Sequence, residues 1–197
     1  LEQLQAGDLA LPIQLDTLAA ARKRVEANSE IAQAVERFDK SHPSDDPLAP
    51  HRVCLEGGDV DRGRRIFFER FTVACNRCHR VGTEGGSVGP ELTSIGKDQS
   101  REQLLESIIA PNASIAKGFE TLVVTTDAGR VLSGILQEKT KDQIFLLTPE
   151  GKLITVQRDE IDELAKGASS MPADVAAILT PHDLRDLVEY LANLKES

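Results

Sequence analysis

The chain has no tryptophan, a single tyrosine and six phenylalanines among its 197 residues. So sparse a set of rings argues against a surface that stacks on bases or sugars. Cations are outnumbered, 23 Lys and Arg against 32 Asp and Glu, giving a formal charge of −9 and a pI near 5.0. That balance argues against a nucleic-acid interface and against an anionic membrane surface, both of which reward basic patches. A partner steered by charge would present a basic face. No apolar run approaches the ~20 residues needed to cross a bilayer. The sequence starts at Leu1 without initiator methionine or signal peptide, and reads as a fragment or a processed chain. The length suffices for one or two packed domains. Cysteine occurs three times and methionine once, so the placement of each carries weight.

Two of the cysteines stand in Cys75-Asn76-Arg77-Cys78-His79. C-x-x-C-H is an attachment site for c-type haem: each cysteine forms a thioether, and the adjacent histidine is placed to bind iron. The lone methionine, Met171 in Ser-Ser-Met-Pro, is the natural candidate for the opposite axial position. Half a zinc site is a competing reading. Structural zinc, however, wants four Cys or His ligands in paired spacings, and only Cys54 remains, with no H-x-x-x-H following. A redox dithiol wants a βαβ setting that these residues lack. Cys54 is expected as a buried or half-buried thiol, an intermolecular disulfide being the alternative. A large planar ligand would supply apolar core area that so few aromatics do not.

Residues 13 to 39 show helical spacing, with Asp16 as the expected N-cap. Ser41 to Pro50 packs three prolines into ten residues and reads as a linker. Asp59 to Phe71 reads as a helix with Val60, Gly63, Phe67 and Phe71 on one face, delivering the chain to Cys75. Ser100-Arg101-Glu102-Gln103 is a capping box before an apolar helix that Pro111 ends. Between Phe119 and Val156 the period changes to four short β-branched runs separated by turn signals, an antiparallel meander. Thr180 and Pro181 start a last helix carrying Leu184, Leu187, Val188, Leu191 and Leu194.

Gly89-Pro90-Glu91-Leu92 follows His79 at the distance where class I c-type cytochromes carry a Gly-Pro-x-Leu segment. Gly63 and Phe67 resemble the Gly/aromatic pair of their N-terminal helix. Leu187, Tyr190 and Leu191 resemble the matching C-terminal face, and Met171-Pro172 resembles the distal loop. The resemblance implies one covalent haem c on Cys75 and Cys78, with His79 and Met171 as axial ligands. It implies that the Pro90 carbonyl accepts the His79 N–H, and that Phe67, Leu92, Ile95, Pro172 and Tyr190 pack about the haem. Gly57-Gly58-Asp59, Glu84 to Pro90, Pro111-Asn112-Ala113 and Gly118-Phe119-Glu120 resemble, more narrowly, the C-terminal haem domain of planctomycete-type multidomain, dehydrogenase-associated proteins.

The expected fold is therefore mainly α: a cytochrome c-like helical haem domain over residues 51–197, preceded by a helical extension and Pro-rich linker over 1–50. A small antiparallel β module, resembling an SH3- or Sm-like barrel, is inserted at about 118–163. The expected function is one-electron transfer from a dehydrogenase donor to a respiratory acceptor, in the periplasm or otherwise outside the cytoplasm, without enzymatic activity of its own. Haem catalysis or gas sensing competes, with a displaced Met171 and His182 as its groups. A haem-stabilised interaction module competes too, and the β module is open to reading as a cap on the haem or as a homodimer surface. His42 and His51 read as solvated loop histidines.

Overall fold

Residues 1–196 are described here from a computed structural model of the chain. Helices α1 (Glu2–Ala6), α2 (Leu11–Arg22) and α3 (Ser29–Lys40) open it. The single helix expected over 13–39 is two, because the chain leaves α2 after Arg22 and restarts where the Asn28 side chain accepts from the N–H groups of Glu30 and Ile31. Asp16 is not a cap. It lies inside α2, where its carboxylate accepts from Arg185 (2.9 Å) and faces the His182 ring (3.1 Å).

The half that carries the Cys75–His79 motif is built around α4 (Val60–Glu69) and α8 (Pro181–Asn193). Asp59 caps α4 through the Arg62 N–H, and Thr180 with Asp183 forms a capping box on α8. The two helices cross at Gly63, where a Cβ would lie 2.0 Å from the Asp186 carbonyl oxygen. No other residue type fits that approach. Asp186, 3% exposed, is compensated by Arg62 Nε (2.7 Å) and the Asp59 N–H (2.8 Å). Phe71, expected on the α4 face, lies beyond the helix end and is 95% exposed.

Short strands β1 (Arg80–Val81) and β2 (Glu84–Gly85) follow the cysteine motif, then α5 (Ile95–Asp98) and α6 (Arg101–Ile109). The Ser100–Gln103 capping box is present on α6. Leu4, Leu15, Leu18, Phe38, Val53 and Cys54 share one buried cluster with Phe67, Leu105, Leu187 and Val188. The N-terminal helices thus pack on α8 rather than trailing from it, and the Pro-rich segment buries Leu48 and Ala49 as it turns. Each fully buried side chain of this size contributes about 1.5–3 kcal/mol by leaving water.

The second half corrects the expected architecture. Strands β3 (Thr121–Thr126), β4 (Val131–Lys139), β5 (Gln143–Leu147), β6 (Leu153–Gln157) and β7 (Ile161–Lys166) form one antiparallel sheet of order β6-β5-β4-β3-β7. With 41% helix and 18% strand the chain is mixed α and β, not a mainly α, cytochrome c-like fold. The sheet has its own apolar centre in Val124, Ile144, Leu146 and Val156. Its fifth strand escapes the sequence reading because Ile161-Asp162-Glu163-Leu164-Ala165-Lys166 consists largely of good helix formers. Pairing with β3, as in Val124 opposite Leu164, overrides that preference. The short helix α7 (Val175–Ile178) then leads back to α8. Among the described residues no helix is long and apolar enough to cross a membrane.

Candidate functional site

The cysteine motif is held in a tight turn by its neighbours. Ala74 adopts a left-handed conformation (φ 51°), uncommon for a residue with a side chain. It feeds a 3-10 turn over Cys75–Arg77. The His79 N–H donates to the Cys75 carbonyl (2.9 Å), and Asn76 Nδ2 donates to the Phe68 carbonyl (3.0 Å), tying the turn to α4. The Gly86 N–H closes it from outside by donating to the Asn76 carbonyl (2.8 Å).

His79 is fixed from below. Its Nδ1 lies 2.9 Å from the Pro90 carbonyl oxygen, which only accepts, so Nδ1 carries the proton and Nε2 keeps its lone pair. Gly89 lies flat against the ring: a Cβ there would come 2.8 Å from His79 Cε1. Burial pushes the imidazole pKa down and so favours the neutral ring, outweighing the Pro90 bond, which pulls the other way. A neutral, oriented imidazole is what a metal requires.

Cys75, Cys78 and His79 open on a cavity of about 270 Å³. Met171 and Pro172 line it too, together with Phe67, Pro90, Leu92 and Ile95. Nearly all the expected site residues therefore converge from four separate segments. Tyr190 does not line the cavity. It packs at the α4–α8 crossing, with its ring 5.7 Å from that of Phe67. Phe68 is turned away as well, its ring 4.9 Å from Phe67 and under the Arg64 guanidinium.

Sequence reasoning missed much of the distal wall. Leu104 and Ile108 of α6 line the cavity, as do Ile115, Phe119 and the sheet residue Ile135. Ile135 is 2% exposed and pairs with Thr121 on β3. The α6 residues carried a periodicity signal that reads as ordinary packing. Ile135 carried none, since nothing in a strand pattern says which distant loop it faces.

The donor chemistry discriminates among the readings of the motif. The three cysteines are free. Burial pushes the Cys75 thiol up to about 11, the reverse of the lowered value that a redox dithiol nucleophile needs. Among the described residues no three His, Cys, Asp or Glu side chains are grouped to hold a metal ion, so the zinc reading lacks its ligand set. The residues do fit a haem: two thiols and an oriented imidazole at one side, a thioether at another, and apolar walls between. Cys54 is 1% exposed, and burial pushes its thiol up to about 12. His182 faces Asp16 and does not line the cavity, and neither do His42 or His51. Comparison with known proteins adds nothing further: no family model matches the chain, and no curated protein matches it.

Proposed function

We propose that this chain is a mono-haem c-type electron carrier with His79 and Met171 as axial ligands. The observation that carries the reading is the convergence of Cys75, Cys78, a neutral His79 anchored on Pro90, and the only methionine on one apolar cavity. Bound haem supplies an iron that takes up and returns one electron. Every other part is supplied by the chain. Cys75 and Cys78 would hold the haem through two thioethers, each S–H adding across a vinyl group so that no atom is lost and no oxidant is needed. The Pro90 carbonyl raises the basicity of the imidazole by accepting its Nδ1–H. Met171, a soft thioether, favours the reduced metal relative to a second imidazole. Phe67, Leu92, Leu104, Ile108 and Ile135 keep water from the cavity, which disfavours the extra charge of the oxidised state.

With both His79 and Met171 available to hold the iron, electron transfer would need no ligand exchange, and among the described residues no histidine other than His79 lines the cavity to act as a distal acid or base. The motif resemblance to class I c-type cytochromes and to planctomycete-type haem domains supports the same reading. It further suggests a dehydrogenase donor, a respiratory acceptor and a location outside the cytoplasm, where thioether attachment is made. The test is an optical spectrum of purified holoprotein, ferric and ferrous, with and without carbon monoxide. A c-type ferrous spectrum, a weak far-red ferric band and no response to carbon monoxide support the proposal. Absence of covalent haem, or a high-spin ferric spectrum with ready carbon monoxide binding, overturns it.

A further inference from the structure

Met171 sits on the loop that leaves β7, and that loop is pinned from two sides. Its own N–H donates to Ser169 Oγ (3.2 Å). The Ser169 N–H in turn donates to Asn112 Oδ1 (2.7 Å), in the Pro-Asn-Ala segment just after α6. On the other side Ser170 Oγ and Thr121 Oγ1 share a hydrogen bond (3.1 Å), and the Gly167 N–H donates to the Thr121 carbonyl (2.8 Å). Thr121 is 6% exposed on β3, opposite the cavity-lining Ile135. The side-chain bonds of Asn112 and Thr121 are not part of the sheet ladder, since β3 has its own registers with β4 and β7. What they fasten is the pair of residues immediately before Met171.

We propose that Asn112 and Thr121 are positioning residues for Met171, holding its thioether at the cavity and setting how rarely it withdraws. This rests on the reading of Met171 as the distal ligand. A withdrawn methionine leaves the distal position to an added ligand, whose apparent affinity scales with the fraction of molecules in that state. Losing one ordinary hydrogen bond raises such a fraction about fivefold. The clamp also couples the sheet to the site, because Thr121 is on β3 and its hydroxyl bonds Ser170, which lines the cavity.

The experiment uses holoprotein of the wild type, Asn112→Ala, Thr121→Val, Met171→Ala, and the conservative variants Asn112→Asp and Thr121→Ser, which keep the accepting oxygen and the hydroxyl. Imidazole is titrated into the ferric form and the far-red thioether band is recorded alongside. The expected result is about fivefold tighter imidazole binding and a weakened band in Asn112→Ala and in Thr121→Val, with both conservative variants close to wild type. Should Thr121→Val fail to fold, Asn112→Ala alone carries the test, since it lies outside the sheet. Wild-type affinity in Asn112→Ala and Thr121→Val, with strong binding in Met171→Ala, overturns the clamp and leaves the Met171 assignment standing. Equal, strong binding by wild type and Met171→Ala overturns the ligand assignment itself, and the clamp with it.

Discussion

Arg101 and Glu189 meet through two parallel hydrogen bonds, guanidinium to carboxylate, at 2.8 and 2.7 Å. Arg101 opens α6 and Glu189 lies on α8, so the pair joins the helix bearing Leu104 and Ile108 to the helix bearing Leu187 and Leu191. All four apolar residues line the cavity. The Arg101 bonds, opposed by desolvation, hold the Glu189 carboxyl below its ordinary 4.5. A depressed carboxylate contributes stability that is present above the unfolded value and is lost as pH falls through the lower, folded one. We therefore expect the stability gap between wild type and Glu189→Gln to be about 1 kcal/mol near neutrality, discounted for the partial exposure of the pair. It should shrink below pH 4.5. Urea unfolding midpoints of both proteins from pH 7 to pH 3 check this, and a gap that stays constant removes the pair from the account.

Gly63 is the point where α4 and α8 touch. A methyl group there meets main-chain oxygen, which is not free to turn aside as a side chain is. Gly63→Ala should cost at least about 1–3 kcal/mol, the ordinary penalty of overpacking. Equilibrium unfolding measures it, and a cost below about 0.5 kcal/mol would show that the helices separate readily.

Met171→Ala should lower the reduction potential of the holoprotein and admit carbon monoxide to the ferrous form. Voltammetry and the carbon monoxide difference spectrum read these two effects independently. An unchanged potential together with an unchanged spectrum sinks Met171 as a ligand. Cys75→Ala should lower the yield of stable holoprotein and leave one unreacted vinyl group, visible as a red-shifted pyridine spectrum; a wild-type yield and spectrum would count against attachment at Cys75.

Ile135→Ala removes a buried side chain that belongs to the sheet yet faces the cavity. We expect a loss of about 2–5 kcal/mol in stability. We also expect a lower reduction potential, because water gains access to the distal wall. If stability falls and the potential stays put, Ile135 is packing alone and the sheet does not shield the site.

Side-chain signals that act locally could be read directly. Asp59, Ser100 with Gln103, and Thr180 with Asp183 all cap the helices their spacing announces, because a cap is a bond between residues three apart. Strands β3 to β6 were legible from β-branched runs and turn residues for a similar reason. Where the deciding partner is remote, the sequence falls silent. Strand β7 is composed of helix formers and becomes a strand only against β3. Asp16 has the chemistry of a cap but is taken by Arg185 and His182 from the far end of the chain. At the site, Cys75, Cys78, His79 and Met171 stood out by type and rarity. Ile108, Ile115 and Ile135 did not, because an apolar residue is marked as a cavity wall only by what it faces. The sheet is a larger share of the architecture than a mainly α reading allows, because Val124, Ile144, Leu146 and Val156 form an apolar centre of its own that only pairing assembles.

The two sides of the cavity differ in when they can exist. The floor under His79 is made by contacts within a short stretch, from the Cys75 carbonyl to Pro90 and Leu92. The roof needs Met171, which comes into place only after the whole sheet has paired and the chain has returned toward α8. Short loops close sooner than long ones, so an emerging chain presents a basin open on one side before it presents an enclosed chamber. A large, rigid ligand would enter that unfinished half more readily than the closed chamber. The sheet and the loop that carries Met171, coming later in the chain, would then close the chamber.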